Sequence, residues 1–195
     1  MLKPVAEVQG VFLSEPKIFP DNRGTFNEWF KASEFEGAIG YPFDLQQSNI
    51  SFSKKGVLRG LHFADIPPGQ AKFVTCMSGA ILDVVFDCRE GSPTFGKWFA
   101  VELTAENRKS LYLPIGVAHG FLALEDATVA YLVSSEYEPA LEHTIDPFSV
   151  GIDWPQADYI LSDKDKEAPS LEEVQLPQFA DCAEFEKMLR EGWAE

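Results

Sequence analysis

The sequence predicts a mainly β protein, an antiparallel jelly roll followed by short C-terminal helices. From about residue 9 to residue 136, short runs rich in Val, Ile, Phe and Tyr alternate with turns rich in Gly, Pro, Asn and Ser. So many closely spaced strands are typical of a sandwich or barrel and not of a βαβ array. After Trp154 this alternation ends. A chain of 195 residues fits a single domain, residues 1–195, with a sizeable buried core.

Nine runs form the predicted strands, and turn residues or charges bound each of them. In chain order they are GVFLSEPKIF (10–19), GTFNEWF (24–30), QQSNISFS (46–53), KFVTCMSG (72–79), AILDVVFD (80–87), GKWFAVEL (96–103), SLYLPIG (110–116), HGFLAL (119–124) and TVAYLVSSEY (128–137). Asp83 and Asp87 interrupt an otherwise apolar run before a Gly-Ser-Pro turn. The spacing of the runs suits a jelly roll built from two antiparallel sheets.

The run GVLRGLHF, residues 56–63, holds two polar residues in an apolar, strand-like context. Arg59 and His62 stand three positions apart, so strict alternation would place their side chains on opposite faces of a strand. Gly56 and Gly60 leave room for a β-bulge that turns one side chain towards the other. Two interpretations stay open: an edge strand with a solvated cation and a core histidine, or a ligand-facing strand.

The residues after Trp154 predict one or two short helices, over about residues 155–195, that pack on the barrel. APSLEEV places Ser170 as an N-cap with Glu173 three positions later, which is a capping-box signature. In FADCAEFEKMLREG, apolar residues recur near helical spacing, and Gly192 is expected to end the helix.

The net charge of −15 argues against nucleic acid as a partner. The charge is unevenly distributed along the chain. Residues 158–195 hold eleven acidic and four basic residues, whereas residues 45–120 hold six acidic and eight basic ones. The central part of the chain can therefore bind a small anionic ligand despite the overall charge.

Hydropathy and cysteine usage favour a cytoplasmic protein that does not span a membrane. The longest apolar runs have the length of strands, and the start MLKPVAEVQG lacks the apolar stretch of a signal peptide. Cys76, Cys88 and Cys182 form no C-x-x-C pair, so we expect them to be reduced core residues.

The segment PIGVAHGF places His119 after a Pro-x-Gly turn at the start of a strand. This pattern resembles the second motif of the cupin jelly rolls, in which the histidine usually binds a metal. A cupin metal site also needs His-x-His and a following Glu in its first motif, but the residues after His62 are Phe, Ala and Asp. The sequence therefore predicts no metal site.

Seven motifs over about residues 20–165 together resemble the dTDP-4-dehydrorhamnose 3,5-epimerase family. They are DNRG (21–24), QQSN (46–49), GVLRGLHF (56–63), PPGQAKFV (67–74), REGSPTFGKW (89–98), PIGVAHGFLAL (114–124) and LSDKD (161–165). The resemblance implies a metal-free, cupin-like homodimer without a cofactor, in which N-terminal strands pair across subunits. It also implies conversion of dTDP-4-dehydro-6-deoxy-D-glucose to dTDP-4-dehydro-L-rhamnose, a step of dTDP-rhamnose biosynthesis for cell-wall polysaccharide.

The residue types in these motifs suit epimerisation beside a ketone. That reaction needs a base, an acid on the opposite face and a group that stabilises the enolate oxygen. The resemblance implies His62 as the base, Asp165 as its dyad partner, Lys72 beside the substrate carbonyl and Tyr131 as the acid. It assigns Tyr137 to stacking on the thymine ring. The structural alternative for Tyr131 and Tyr137 is a half-buried tyrosine of the barrel. For Asp165, in the run LSDKDKE, the alternative is a solvated surface residue.

The resemblance also implies which residues bind the substrate. Arg23 and Arg59 would hold the diphosphate, because guanidinium groups match the geometry of phosphate oxygens. Further contacts to the nucleotide and sugar are implied for Glu28, Gln47, Asn49, His119, Glu142 and Lys164. For Arg23 the alternative is a turn residue held by Asp21, and His143 has no assigned role.

Three other functions stay open. A single-centre epimerase would invert only C3 or only C5 of a related dTDP-4-keto-6-deoxy sugar. A non-catalytic sugar-nucleotide-binding cupin would have no need of His62, Tyr131 and Asp165 together. A metal-dependent cupin oxygenase would need the metal ligands that the first motif lacks.

Overall fold

The computed structural model describes residues 2–194, so the ends of the predicted domain, Met1 and Glu195, lie outside the described residues. Within 2–194 the chain forms thirteen strands and three α-helices. The strands are β1 (Leu2–Pro4), β2 (Phe12–Ser14), β3 (Phe19–Asp21), β4 (Gly24–Phe26), β5 (Gln47–Ser53), β6 (Leu58–Ala64), β7 (Lys72–Ser78), β8 (Ala80–Phe86), β9 (Trp98–Thr104), β10 (Ser110–Leu113), β11 (Ala118–Ala123), β12 (Ala127–Val133) and β13 (Glu142–Thr144). The helices are α1 (Ala32–Ile39), α2 (Asp163–Lys166) and α3 (Phe179–Ala194), with a 3₁₀ turn at Leu171–Glu173. The mainly β class is confirmed.

Two antiparallel sheets enclose the core of the jelly roll. One has the strand order β1-β2-β10-β7-β12-β5, and the other has the order β13-β6-β11-β8-β9. The hairpin β3–β4 belongs to neither sheet. Val74, Leu111 and Val129 of the first sheet cluster with Val85 and Phe121 of the second, and all five are buried. Burial of such apolar side chains between the sheets is the main stabilising term of the fold.

A β-bulge in β6 brings Arg59 and His62 to the same face of the sheet. His62 pairs with His119 and Arg59 pairs with Phe121, so two residues of β6 oppose a single residue of β11. Gly60 makes this possible, since its φ is +107° and a Cβ there would lie 2.5 Å from the His119 carbonyl oxygen. The bulge expected from the glycines is therefore present. The edge-strand interpretation is wrong, because β6 lies between β13 and β11.

Helix α1 was not expected from the sequence pattern. It has eight residues, and Phe35 is its buried residue. Phe35 packs against Phe30, Phe43, Phe73 and Tyr112, with ring centroids 4.9 to 5.6 Å apart for each of these four contacts. A helix of two turns with one anchoring side chain gives too short a periodic signal to recognise, and its stability comes from this aromatic cluster.

The predicted strand limits of residues 9 and 136 are too narrow, because β1 and β13 lie outside them. GTFNEWF is a strand only over Gly24–Phe26, since Trp29 and Phe30 leave the hairpin and pack on Phe73 instead. β1 and β13 have three residues each, and such short strands carry too little pattern to be recognised locally. The three cysteines are free and buried, as expected.

The C-terminal region agrees with the prediction except at its last helix end. The Ser170 amide donates to the Glu173 carboxylate at 3.0 Å, which confirms the capping box, although the helix is one 3₁₀ turn. Helix α3 continues through Gly192 to Ala194, so the expected end at Gly192 is wrong. Gly40 ends α1 because it adopts the left-handed conformation, and Gly192 does not adopt it. No helix within 2–194 has the length and apolarity needed to span a membrane.

Candidate active site

A cavity of about 340 Å³ lies between the two sheets, a size typical of small-molecule sites. Strands β5, β7 and β12 supply one wall, and β6, β11 and β13 supply the other. Most lining residues carry polar side chains; the lining residues are Gln47, Asn49, Ser51, Arg59, His62, Gln70, Lys72, His119, Gly120, Phe121, Tyr131, Tyr137 and Glu142.

Strand β5 directs three polar side chains into the cavity and its two apolar side chains outward. Gln47, Asn49 and Ser51 line the cavity, whereas Ile50 is 77% exposed and Phe52 is 60% exposed. Because successive side chains of a strand point to opposite faces, the sequence QSNISFS itself produces this arrangement. The cavity wall of β5 is therefore suited to hydrogen bonding.

His62 forms a dyad with Asp165, a residue 103 positions later in the chain. Nε2 of His62 lies 2.7 Å from Oδ1 of Asp165. Asp165 is buried, and the Ser162 hydroxyl donates to its Oδ2 at 2.9 Å. The alternative of a solvated Asp165 is therefore wrong. Because Nε2 is engaged with the carboxylate, Nδ1 is the ring nitrogen left to exchange a proton with a ligand.

The segment before α2 returns to β6 and fixes the position of that helix. The Leu58 amide donates to the Ile160 carbonyl at 3.0 Å, and the Ile160 amide donates to the Gly56 carbonyl at 2.9 Å. Gly56 permits this approach, since a Cβ there would lie 2.8 Å from the Asp158 carbonyl oxygen. These contacts hold α2 against β6 and so bring its carboxylate to the cavity.

Two opposing effects set the charge state of Asp165. Burial alone raises the pKa of Asp165, but hydrogen bonds from His62, Ser162 and the Gly60 amide, together with the charge of His62, leave it below its ordinary value. The carboxylate is therefore ionised at neutral pH and can stabilise an imidazolium on His62.

Lys72 on β7 and Tyr131 on β12 face the cavity from the wall opposite His62. Burial lowers the pKa of Lys72, which is 8% exposed, while the negative charges of Glu142 and Asp83 act in the other direction. Burial raises the pKa of Tyr131 above its ordinary value. This wall therefore carries the Tyr131 phenol, which keeps its proton, and the Lys72 ammonium group, which loses its proton more readily than an exposed lysine.

A second histidine–carboxylate pair lies beside the dyad. Nε2 of His119 on β11 lies 2.7 Å from Oδ1 of Asp83 on β8. His119 is largely buried, and Asp83 is fully buried. His119 pairs directly with His62 across β11 and β6, so the two imidazoles occupy neighbouring positions on the cavity wall.

Glu142 joins Lys164 and Tyr137 in one network. The Lys164 ammonium forms an ion pair with Oε2 of Glu142, and the Tyr137 hydroxyl lies 3.5 Å from the same oxygen. The Tyr137 amide donates to Oε1 of Gln47 at 2.9 Å. Burial raises the pKa of Glu142, but the hydrogen bond from Lys164 and the nearby positive charges bring it below its ordinary value.

The two arginines expected at the diphosphate lie in different places. Arg59 lines the cavity, and its Nε donates to Oγ of Ser53 at 3.0 Å. Arg23 lies in the β3–β4 turn, where its Nη2 pairs with Oδ2 of Asp21 at 2.6 Å. Arg23 and the exposed Glu28 do not line the cavity of their own chain. In the isolated chain, Arg23 is therefore a turn residue held by Asp21, as the alternative interpretation expects.

The histidines and carboxylates do not gather into a metal centre. Within residues 2–194, no group of three or more His, Cys, Asp or Glu side chains is arranged to hold a metal ion. His62 and His119 each direct Nε2 to a different aspartate. Metal independence and the lack of a cofactor stay predictions.

Comparison with known proteins identifies the family. A family model described as dTDP-4-dehydrorhamnose 3,5-epimerase matches residues 5–173. A dTDP-4-dehydrorhamnose 3,5-epimerase of Mycolicibacterium smegmatis is 50% identical over 189 residues, which cover 94% of each chain. The chain belongs to the dTDP-4-dehydrorhamnose 3,5-epimerase family. It is therefore an enzyme, an isomerase of dTDP-sugar metabolism.

Solved structures of other epimerases agree with this fold. An epimerase of Mycobacterium tuberculosis is 46% identical, with a TM-score of 0.94, and the match covers 97% of this chain and 100% of that one. A 3′-monoepimerase of Streptomyces bikiniensis in complex with dTDP-quinovose is 42% identical, with a TM-score of 0.92 and coverage of 96% and 98%. The cupin-like jelly roll expected from the sequence is thus confirmed.

Three residues of the candidate site were missed by sequence reasoning. Ser51 continues the period of two that starts at Gln47 and Asn49, and that period could have revealed it. Gln70 lies inside PPGQAKFV and lines the cavity. Asp83 supports His119, and its signal was a carboxylate within an apolar strand.

Proposed function

We propose that this chain inverts both C3 and C5 of dTDP-4-dehydro-6-deoxy-D-glucose and releases dTDP-4-dehydro-L-rhamnose. One observation carries the proposal: the His62–Asp165 dyad and Tyr131 face one cavity from opposite walls. Epimerisation requires a proton to leave one face of a carbon and a proton to arrive at the other. The M. smegmatis relative is named a 3,5-epimerase, and this name supports inversion at both centres.

His62 is the proposed base. Its Nδ1 takes the proton from the carbon next to the C4 ketone, and the C–H electron pair moves into the enolate. Asp165 holds the other ring nitrogen at 2.7 Å and stabilises the imidazolium that forms, as the aspartate does in a serine-protease triad.

Lys72 is the proposed partner of the enolate oxygen. It is largely buried in the cavity wall, so its charge acts in a medium of low polarity, where it is worth more than in water. The negative charge that develops on the C4 oxygen is offset by the ammonium group without covalent bond formation.

Tyr131 is the proposed acid. Its hydroxyl gives a proton to the face of the carbon opposite His62, and the enolate returns to the ketone. The tyrosinate then regains a proton from solvent, and the His62 imidazolium releases its proton to solvent. The raised pKa of Tyr131 keeps the phenol protonated before this step. The same cycle then acts on the second carbon.

The other predicted residues are proposed to hold the nucleotide. Arg59, Gln47 and Asn49 contact the diphosphate and ribose region, and Tyr137 stacks on thymine. The remaining proposed contacts to nucleotide and sugar are His119, Glu142 and Lys164. Each of these residues either lines the cavity or, in the case of Lys164, binds one that does.

Arg23 and Glu28 are proposed to act across a homodimer. They lie near the β3–β4 hairpin, whose Phe19 and Phe26 are exposed, and the outward face of β5 is also apolar. A second copy that covers these apolar side chains would bring its own Arg23 to the cavity. The dimer therefore accounts for the apolar exterior and completes the anion site.

Incubation with dTDP-4-dehydro-6-deoxy-D-glucose in deuterated water tests the proposal. We expect deuterium at C3 and at C5, with an L-rhamno product, by NMR. Deuterium at only one carbon with inversion there would replace the proposal by a single-centre epimerase, which the likeness to the S. bikiniensis 3′-monoepimerase favours. If neither carbon exchanges its proton for deuterium, both the double and the single-centre epimerase are contradicted.

A further inference from the structure

Asp83 is a carboxylate in the middle of strand β8, and neither the proposed proton transfers nor the stabilisation of the enolate by Lys72 involves it. It is 0% exposed, and its Oδ1 binds Nε2 of His119 at 2.7 Å. Oδ2 has no hydrogen-bond donor among the described residues. Burial of an ionised carboxylate is costly unless a charge or several hydrogen bonds offset it, so this position requires an explanation.

The surroundings of Asp83 differ from those of the dyad aspartate. Asp165 receives hydrogen bonds from His62, Ser162 and the Gly60 amide, which offset the cost of burying its charge. Among the described residues, Asp83 receives only the bond from His119, so fewer hydrogen bonds offset its negative charge. Among the groups that feel this charge is Lys72, which faces it from the other sheet.

We propose that Asp83 is a positioning residue, which orients His119 through Nε2 so that His119 and Lys72 serve the same substrate oxygen. The inference rests on the proposed epimerase function and assigns a role within it. Asp83 itself is too deeply buried to touch a sugar, and it acts through these two side chains.

The orientation of His119 follows from the geometry. The carboxylate of Asp83, 2.7 Å from Nε2, accepts the hydrogen bond from that nitrogen and directs Nδ1 away from Asp83. In the imidazolium form, Nδ1–H is a donor for an oxygen that develops negative charge. His119 lines the cavity, so its second nitrogen is within reach of a bound ligand.

The effect on Lys72 has a defined sign. Burial lowers the pKa of Lys72. The negative charges of Glu142 and Asp83 oppose that shift, and the positive charge of Lys164 adds to it. Activity that needs the ammonium form is lost as pH rises through the Lys72 pKa. Removal of the negative charge at position 83 lowers this pKa further, so the alkaline limb of the rate profile moves to lower pH. The other charged or titratable side chains that line the cavity are Arg59, His62, His119, Tyr131 and Tyr137.

Asp83→Asn is the first test, with Asp87→Asn as a matched control. Both aspartates lie in the run ILDVVFD and are 0% exposed, but Asp87 does not line the cavity and binds Arg89 instead. We expect Asp83→Asn to lower kcat about 10- to 100-fold, less than complete removal of an oxyanion donor costs. KM should change little, and the alkaline limb of kcat should move to lower pH. The folded Asp87→Asn enzyme should keep the wild-type kcat and the wild-type alkaline limb.

Nitrogen-15 NMR of the histidine rings in the substrate-free protein is an independent readout. We expect the His119 ring to carry its proton on Nε2 in the wild type, and this preference to weaken in Asp83→Asn. An inactive wild type with this ring signature would contradict the proposed function and leave the His119 orientation in place. An active wild type whose Asp83→Asn variant keeps its kcat and alkaline limb would overturn the role of Asp83.

A second variant decides the matter if Asp83→Asn does not fold. His119→Gln should lower kcat by a similar factor and keep the wild-type alkaline limb, because Asp83 still acts on Lys72. A wild-type His119 ring without a proton on Nε2, or a His119→Gln enzyme with wild-type kcat, would overturn the proposal.

Discussion

At the scale of single residues, the site is organised by carboxylates behind basic side chains. Asp165 lies behind His62 and Asp83 lies behind His119, each with 2.7 Å between carboxylate and Nε2. A buried carboxylate at one ring nitrogen fixes the tautomer and stabilises the charged ring. The proton transfer proposed for His62 therefore depends on Asp165, a residue that does not touch the substrate.

The base and the acid are separable by isotope exchange. His62→Asn should abolish deuterium uptake at both carbons, since no proton leaves without the base. Tyr131→Phe should retain exchange and lose inversion, because the imidazolium returns a solvent-derived proton to the face it came from. NMR of deuterium content and of product configuration measures the two separately. Equal loss of exchange and inversion in Tyr131→Phe would contradict its assignment as the acid.

The dyad carboxylate is tested by Asp165→Asn. We expect kcat to fall about 10- to 1,000-fold on the scale of general acid–base catalysis, with KM little changed, because Asn supports the imidazolium poorly. Asp163→Asn is a matched control on the same helix, since Asp163 is exposed and, within residues 2–194, its carboxylate pairs with Lys166 alone, at 3.3 Å. Steady-state kinetics of both variants measures the effect. A wild-type kcat in Asp165→Asn would contradict the catalytic role of the dyad.

At the scale of elements, two backbone features bring the site together. The bulge in β6 turns Arg59 and His62 to one face, and the contacts of Ile160 with Gly56 and Leu58 hold α2 against the start of that strand. Both features use a glycine where backbone approaches backbone closely. The geometry of the candidate site therefore depends on main-chain contacts as well as on side chains.

Gly60→Ala tests the bulge. A Cβ at this position would lie 2.5 Å from the His119 carbonyl oxygen and 2.6 Å from the Gly120 Cα, and φ is +107°. We expect the free energy of unfolding to fall by about 2–4 kcal/mol from strain and overpacking. Gly91→Ala has a φ of +82° and open space, so it should cost only about 1 kcal/mol. Urea unfolding compares them, and equal losses would show that the close approach has no cost.

The loop after β8 depends on a buried ion pair between Asp87 and Arg89, 2.8 Å apart. Burial raises the pKa of Asp87, but the bonds and charge of Arg89, with Ser92 and Thr94, leave it below its ordinary value. Asp87→Asn should cost about 3 kcal/mol of unfolding free energy at pH 7, because it leaves the arginine charge buried without its partner.

The pH dependence of this ion pair follows from the direction of the Asp87 shift. A depressed pKa stabilises the fold above the unfolded value of about 4, and this contribution is lost as pH falls through the folded pKa. The stability difference between wild type and Asp87→Asn should therefore narrow below about pH 4. Urea unfolding at several pH values measures it, and a difference that stays constant would contradict the ion-pair origin.

At the scale of the whole molecule, the first sheet ends in a strand whose apolar side faces outward. Ile50 and Phe52 of β5 are exposed on an edge strand, and such edges promote pairing with another chain. Arg23 lies on the separate β3–β4 hairpin and does not line its own cavity. These facts agree with the proposed homodimer that shares Arg23 between copies.

Mixed dimers test whether Arg23 acts in the partner's site. Arg23→Ala and His62→Asn homodimers should each have low activity. When the two are unfolded, mixed and refolded together, heterodimers should regain activity, because one of their two sites then holds both residues. If Arg23 acts in its own chain, both heterodimer sites are defective and mixing restores nothing. Light scattering should give a mass of twice 21.7 kDa for the wild type, and a monomeric mass would contradict the dimer.

The sequence by itself determined the β architecture, the polar inner face of β5 and the set of motifs that carry the family resemblance. These are local properties, since alternation along QSNISFS assigns each side chain to a face without knowledge of the rest of the chain. Helix α1 and the three-residue strands β1 and β13 were missed, because their stability comes from partners distant in sequence and not from their own pattern.

Only the tertiary structure decided which polar residues meet. Asp165 belongs to the charged run LSDKDKE, which reads as solvent-exposed, yet the return of the chain along β6 buries it against His62. The pairing of Asp83 with His119 likewise depends on the register between β8 and β11. Burial and register are properties of how strands assemble, and the same assembly leaves Arg23 outside the cavity of its own chain. The physical reason is that an ion pair between residues far apart in sequence forms only where the packed fold brings both groups together.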